Sequence, residues 1–481
     1  MTVLDIARGA YVRSPKALRD FVSPVLALMP VSLKFGSTYW RWRDDILHSR
    51  SDQDFTCQRR TAALAALLSE AYKGSDFWRE RIAEAFGADI DPTQIGFDSL
   101  AALPVLTREK LREAGEATLT VGAETLDPAF TSGSSGHPFS FWLDKDRSPR
   151  EFAFVSDVWA RTGYQEGDAR CVLRGLAIAD LDQQPCEWEA GLRELRCAVF
   201  SMTAERMDRC LDMIDHHGIA YLHGYPSAIE ILCRHIVRTG RRLKRPILGV
   251  FPISEPVHRH QRAIIRAALP DAAIAPFYGL SEHVLFASEV DDAADVYEFE
   301  PLYGHPELVD DWDQAIAQPG CRGRILGTGL LSTGMPFIRY DTGDTAELVR
   351  PATAENGWRM RVRAIRPRRQ AEFLVGVNSD PSATLTLVPE YCFSVDPSTY
   401  GVSEFQFYQD EPGRCTIKVV PAAGCGAADV RPFVEATNKH VGSRIHFELE
   451  LVEDLAGGAR GKRPFIDQKL DLAHLVNTVG Q

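Results

Sequence analysis

From Thr131 to Pro138 the chain reads TSGSSGHP, which packs hydroxyls and glycines into one short stretch. Gly133 and Gly136 let a backbone approach an oxyanion closely, and Thr131, Ser132, Ser134 and Ser135 supply neutral donors around it. Such a loop suits phosphate, so a nucleotide is the first ligand it implies; the bland alternative is a flexible surface loop. In a Walker A loop the second glycine leads to Lys and Ser/Thr at a helix start. Here His137 and Pro138 lead into FSFWL, whose aromatic content reads as a strand, so the loop joins strands. A helix is expected next, with Ser148 as N-cap, Pro149 in the first turn and Glu151 closing a capping box.

The elements that must position further chemistry lie between Gly218 and Ser281. GIAYLHG reads as a strand, PSAIEILCRHIVRTG as a helix opened by Pro226 and closed by Gly240, and PILGVFP as a second strand. EPVHRHQRAIIRAAL is a further helix and AAIAPF a third strand. This alternation predicts a mostly parallel sheet flanked by helices, with ligands at the carboxyl ends of its strands. Three unusual loops then share one rim: Gly224 to Ser227, Ser254-Glu255-Pro256, and Tyr278-Gly279-Leu280-Ser281-Glu282.

Further on, strands are expected around Arg324 to Thr328 and Phe337 to Tyr340, followed by a tight DTGD turn holding Asp341 and Asp344. The Arg/Pro-rich run from Arg363 to Gln370 reads as a linker. Beyond it, EFQFYQ, CTIKVVP, ADVRPFVEATNKHV and FELELV give two strands, a helix and a strand, as in a small α+β domain. Residues 1–100 look mostly helical. The fold class is therefore α/β, with a large N-terminal domain over 1–367 and a small mobile α+β domain over 368–481.

TSGSSGHP, the SEP loop, YGLSE, MPFIRYDTGD and a late GK, in that order, resemble the adenylate-forming (ANL) superfamily. Within it, LPVLTREKLR from Leu103 to Arg112, HGYPSAIE and TGLLSTGMPFIRYDTGD look most like the phenylacetate-CoA ligase and CapK-like branch. The resemblance implies joining a carboxylate to the α-phosphate of ATP, with loss of pyrophosphate, and then transfer to coenzyme A; alternatives are transfer to an amine, or a non-catalytic nucleotide or acyl binder. Carried over by motif, Thr131 to Gly136 hold the phosphates, Ser281 lies by the α-phosphate and Glu282 binds Mg²⁺. Tyr278 and Gly279 lie against adenine, opposite Ser254, Glu255 and Pro256. Asp344 accepts from the ribose, Arg339 supports the nucleotide or that turn, and Lys462 in GARGKRPF meets the developing charge. Tyr225 and Trp142 are candidates for the acyl pocket, with core packing as their competing role. Two departures stand out: His137 replaces the usual loop lysine, and Arg369 is the counterpart of the hinge arginine in an altered hinge.

Composition narrows the partners. A formal net charge of -12 and a pI near 5.6 over 481 residues argue against a general nucleic-acid binder and for small molecules, here a carboxylic acid with an acceptor. Ten cysteines without a CxxC read as incidental thiols in a reducing compartment, with neither disulfide nor zinc expected. His223, His258 and His260 are expected to pack or face solvent. The N-terminus lacks a signal-peptide pattern, and the apolar run from Phe21 to Leu33 is too short to span a bilayer, so a cytoplasmic protein without an integral membrane segment is expected.

Overall fold

Side-chain caps set the first helices. Asp52 accepts from Phe55 N at 2.9 Å, Ser75 from Trp78 N at 3.3 Å and Thr107 from Lys110 N at 3.3 Å, contacts each worth about 1 kcal/mol. They open α2 (Gln53–Gly74), α3 (Asp76–Phe86) and α4 (Arg108–Ala114), which follow α1 (Val31–Ser51). The computed structural model describes residues 23, 31–131, 139–174, 186–199, 202–254, 257, 259–291, 295–367, 374–377, 384–387, 400–422, 424–453, 455 and 466–470. Its contacts divide the chain into two units. The first comprises Met1–Thr131, Phe139–Gly167 and Ala275–Arg368; the second comprises Ser132–Pro138, Asp168–Ile274 and Arg369–Gln481.

In the first unit β1 (Leu126–Thr131) and β2 (Phe139–Asp144) pair antiparallel, ending at Thr131 opposite Phe139. The 132–138 loop thus joins two strands, as FSFWL suggests. Helix α5 (Arg147–Ala160) starts behind Asp146 without any side-chain cap bond, so the expected capping box of Ser148 and Glu151 is absent. With the helix opening behind Asp146, Pro149 falls at its third position and offers no N–H for a cap to accept from, and the Glu151 carboxylate instead accepts from Tyr303 Oη.

The second unit carries the expected β/α alternation. Strands β3 (Arg170–Arg174), β4 (Cys186–Glu189), β5 (Glu194–Ala198), β6 (Tyr221–Gly224), β7 (Gly249–Pro252) and β8 (Ala273–Ile274) are ordered β4-β5-β3-β6-β7-β8. Every neighbouring pair is parallel except β4 with β5. The connecting helices are α6 (Ala204–His217), α7 (Pro226–Thr239) and α8 (Arg259–Ala268). Pro226 stands at the first turn of α7 and Gly240 ends it with φ 67°, the left-handed conformation that glycine adopts without steric cost. All residues of β6 and β7 are buried, as strands covered on both faces require.

A third expected strand in this sheet is cut short. After Ala273–Ile274 the chain passes Pro276, which has no N–H for a ladder, and resumes as β9 (Phe277–Gly279) in a different sheet of the first unit. That sheet adds β10 (Phe286–Asp291), β11 (Val296–Phe299), β12 (Gly304–Val309), β13 (Arg322–Gly329), β14 (Tyr340–Arg350) and β15 (Arg361–Pro367). Its order is β12-β13-β14-β15-β11-β10-β9 and every pair is antiparallel. The expectation of mostly parallel sheets therefore holds for one large sheet and fails for the other, whose connections hold no crossover helix. Leu64, Leu68, Trp78, Ile82 and Leu111 from the helices share one core with Phe299, Tyr340 and Val362 from the strands.

The arginine run read as a linker is, over 361–367, the strand β15. Its guanidinium groups are matched to acids: Arg361 to Glu298 at 2.6 Å, Arg363 to Glu347, and Arg366 to Asp295 at 3.1 Å. Cross-strand pairing of opposite charges favours the sheet over a solvated linker.

Toward the C-terminus, β16 (Leu374–Val377) and β17 (Thr384–Leu387) pair antiparallel. β18 (Val402–Glu411), β19 (Arg414–Pro421), α9 (Ala427–Val441), β20 (His446–Leu451) and β21 (Ile466–Gln468) follow in the predicted strand, strand, helix, strand order, with β21 added. The four strands are arranged β20-β19-β18-β21. Phe407, Ile417, Val430, Phe433 and Phe447 form their core.

Candidate functional site

The DTGD segment does not turn between strands; it bulges within one. Arg324 pairs with Thr345 and Leu326 with Asp341, so Thr342, Gly343 and Asp344 all stand opposite Ile325. Gly343 takes φ 84°, which a residue with a Cβ adopts only under strain. Local bonds hold the bulge: Asp341 Oδ1 accepts from Gly343 N at 2.9 Å, Thr342 Oγ1 accepts from Asp344 N at 3.1 Å, and the same hydroxyl donates to Ile325 O at 2.8 Å. Bulges of this kind re-aim side chains. Here the Asp344 carboxylate meets Tyr278, whose Oη donates to Oδ2 at 2.7 Å from β9.

Glu282 is set by a close passage of backbone. A Cβ on Gly304 would come within 2.2 Å of Val284 O, and one on Gly327 within 2.7 Å of a Leu285 side-chain carbon. The missing side chains let the segment after Ser281 lie directly on β12 and β13. No helix begins there, so Glu282 is not a helix-capping acid. Its carboxylate is buried and accepts from Tyr340 Oη at 2.7 Å, with Arg108 Nη2 at 3.3 Å; both contacts fall on Oε1. Arg108 Nε also donates to Tyr340 Oη at 3.3 Å, closing a triangle.

Burial raises the pKa of both phenols, and the carboxylates reinforce it: Asp344 and Glu282 for Tyr278, Glu282 for Tyr340. Tyr278 and Tyr340 therefore stay protonated and serve as donors. That Glu282 acts on Tyr278 also puts both carboxylates into one electrostatic neighbourhood.

Arg339 is buried with φ 50° and spends its guanidinium on structure. Nε donates to Glu307 Oε1 at 3.0 Å, and Nη1 donates to Ala101 O at 3.0 Å and Leu103 O at 2.6 Å. Leu106 N donates to Arg339 O, and Asp341 N to Leu106 O, so the LPVLTREK segment is laced to the strand entering the bulge. Thr107 then caps α4, and Arg108, its first residue, faces Glu282.

Tyr278, Gly279, Ser281, Glu282, Arg339 and Asp344 thus belong to one sheet or its loops, Gly279 and Ser281 being exposed. The first two loops of the expected rim, at 224–227 and 254, follow β6 and β7 of the parallel sheet in the second unit, whereas 278–282 belongs to the antiparallel sheet. Ser254 is exposed with φ 65°. Tyr225 is buried at the start of α7, and Trp142 is half-buried against the first unit's core. His223 is buried in β6 and kept neutral by burial and by Arg170 and Arg174. Ser132 to Gly136, His137, Glu255, Pro256, His258, Arg369 and Lys462 lie outside the described residues, as does most of the run from Phe21 to Leu33. Among the described residues, no helix is long and apolar enough to cross a membrane.

Arg108 and Tyr340 are site residues that motif reading passed over, although both lie inside quoted motifs. Glu151, which the sequence marked only as a helix-capping acid, is another: it accepts from Tyr303 and stands 3.4 Å from His283 Nδ1, beside Glu282.

No family model matches the chain. Over 286 residues it is 21% identical to Protein CapK of Staphylococcus aureus, a stretch covering 57% of this chain and 59% of that protein. The match therefore spans less than two thirds of that curated relative. Among solved structures, 2-hydroxyisobutyryl-CoA ligase in complex with 2-HIB-AMP and CoA in the thioesterification state aligns with TM-score 0.52 and 17% identity, covering 88% of this chain and 92% of that one. The same ligase in its postadenylation state with R3-HIB-AMP aligns at 0.49 and 17% identity, over 87% and 90%. The chain is thus similar in sequence to CapK over part of its length and shares the fold of an acyl-CoA ligase.

Proposed function

We propose that the protein is an ATP- and Mg²⁺-dependent ligase that activates an aryl or other hydrophobic carboxylic acid as its acyl-adenylate, releasing pyrophosphate, and passes the acyl group to coenzyme A. The observation that carries this reading is the pairing of Tyr278 with Asp344 and of Tyr340 and Arg108 with Glu282 on one sheet. A carboxylate accepts through two oxygens, a chemistry that suits Asp344 to the paired hydroxyls of a ribose. Glu282 fits a hard cation: both of its contacts fall on Oε1, so Oε2 can serve Mg²⁺. Bound there, the cation would offset charge developing on the phosphates.

In this reading Tyr278 and Gly279 flank adenine, with Ser254, Glu255 and Pro256 on its other side. Thr131 to Gly136 cradle the β and γ phosphates and Ser281 the α-phosphate. Arg339 supports the bulge, Arg369 serves the hinge, Tyr225 and Trp142 line the acyl pocket, and Lys462 supplies the cation that meets the attacking carboxylate. The domain division at 367/368 would let the smaller part deliver that lysine. An amine acceptor is the second reading, favoured by the sequence relationship to CapK.

Pyrophosphate exchange into ATP across a panel of acids tests the first half-reaction, and adding coenzyme A or amines then identifies the acceptor. Lys462→Ala should lower exchange by at least about 100-fold while ATP binding changes little. Exchange with no acid at all, despite ATP binding, would leave a nucleotide-binding protein without turnover.

A further inference from the structure

Four cysteines far apart in sequence converge in the second unit. β3 carries Cys171, β4 Cys186, β5 Cys197 and α6 Cys210. Ladder partners share a face of a sheet: Cys171 pairs with Leu195, Leu173 with Cys197, and Cys197 with Cys186. Helix α6 covers that face with Met207, Cys210, Leu211 and Ile214 buried. The Sγ atoms of Cys171, Cys197 and Cys210 all lie within 4.8 Å of one another. Individual separations are 3.7 Å for Cys171 to Cys197, 3.8 Å for Cys171 to Cys210, 2.9 Å for Cys197 to Cys210 and 3.0 Å for Cys186 to Cys197.

We propose that Cys171, Cys186, Cys197 and Cys210 form a structural site for a thiophilic divalent ion, Zn²⁺ foremost, that staples β3, β4 and β5 to α6. A Zn–S bond of about 2.3 Å in tetrahedral geometry sets Sγ atoms about 3.8 Å apart. Of the four separations given, two already match and the two short ones open by less than about 1 Å through small side-chain rotations, while Cys186, which meets Cys197 but stands outside the group of three, completes the tetrahedron by rotating toward it. The donors are all soft sulfur, which selects zinc over magnesium or calcium. Four protein ligands leave no open position, so the site is structural. Binding converts four thiols and Zn²⁺ into a tetrathiolate complex of net charge minus two and releases four protons. A disulfide would use only two of these sulfurs, whereas Cys197 contacts the other three.

The full-length chain, purified without a polyhistidine tag, should carry about one zinc per molecule by elemental analysis. Replacing that metal with Co²⁺ should give the sulfur-to-cobalt charge-transfer band and the intense visible bands of a tetrahedral thiolate site. Cys197→Ser should abolish both, and Cys233→Ser, at a buried thiol of α7 outside the cluster, should leave both intact. If Cys197→Ser fails to fold, the cobalt spectrum of the unaltered chain decides. Wild-type protein that binds neither metal while all ten thiols titrate on denaturation would overturn the site. A mass two hydrogens lighter, with the missing pair mapped to these cysteines, would overturn it in favour of a disulfide.

Discussion

The antiparallel sheet of residues 277–367 and the parallel sheet of residues 170–274 solve different problems with buried polar atoms. In the antiparallel sheet each placed carboxylate has an oxygen or nitrogen donor: Asp344 has Tyr278, Glu282 has Tyr340 and Arg108, and Glu307 has Arg339. Their partners stand 32 to 174 positions apart in sequence, and strand pairing with a bulge at 341–345 brings them together. In the parallel sheet the comparable concentration of chemistry is sulfur, assembled from three strands and a helix spread over forty positions. The difference teaches that the antiparallel sheet joins its polar partners across longer stretches of chain than those separating the thiols of the parallel sheet.

The contrast is sharpest if chemistry resides in the first sheet and structure in the second. Glu282→Gln, nearly isosteric, should cut pyrophosphate exchange by about 100- to 1000-fold while the thermal transition stays close to wild type. Unchanged exchange would remove Glu282 from the metal role. Next in size, Tyr278→Phe removes a hydrogen bond to a charged group worth about 1.5–3 kcal/mol. ATP affinity, measured by calorimetry, should therefore weaken by about 10- to 100-fold if Asp344 must be held for the ribose. An unaltered affinity would reduce the phenol to packing.

The smallest effect concerns pH. His305 accepts from Arg60 through Nδ1 at 3.1 Å, and burial, with the charges of Arg60 and Arg339, lowers its pKa to about 3. Above about pH 6.5 folded and unfolded chains both hold it neutral. Below that, the unfolded chain takes up a proton that the folded one refuses, so stability falls as pH drops from about 6.5 toward 3. His305→Gln keeps an acceptor for Arg60 and should flatten this part of a urea-unfolding profile taken against pH. An equal slope in the variant would assign the acid sensitivity elsewhere.

Legibility followed the same division. Tyr278, Glu282 and Asp344 were singled out because each stands in a compact motif, and Pro226 and Gly240 marked the ends of α7 by their own backbone preferences. The bulge at 341–345 was not readable, since aspartate, threonine and glycine serve a turn equally well and only the pairing of β13 with β14 makes it a bulge. The arginines of β15 looked like a linker because their acidic partners, Glu298, Glu347 and Asp295, are distant in sequence.

By itself the sequence determined many of the helix and strand periodicities, the ends of α7 and the order of the quoted motifs, because these depend on residues within a turn or two of each other. Tertiary structure alone decided that residues 277–367 form an antiparallel sheet, that Arg108 reaches Glu282, and that four scattered thiols share one interior. The physical reason is that strand order and register are set by long-range packing and hydrogen bonding between segments, and no local propensity encodes which distant segment a strand will meet.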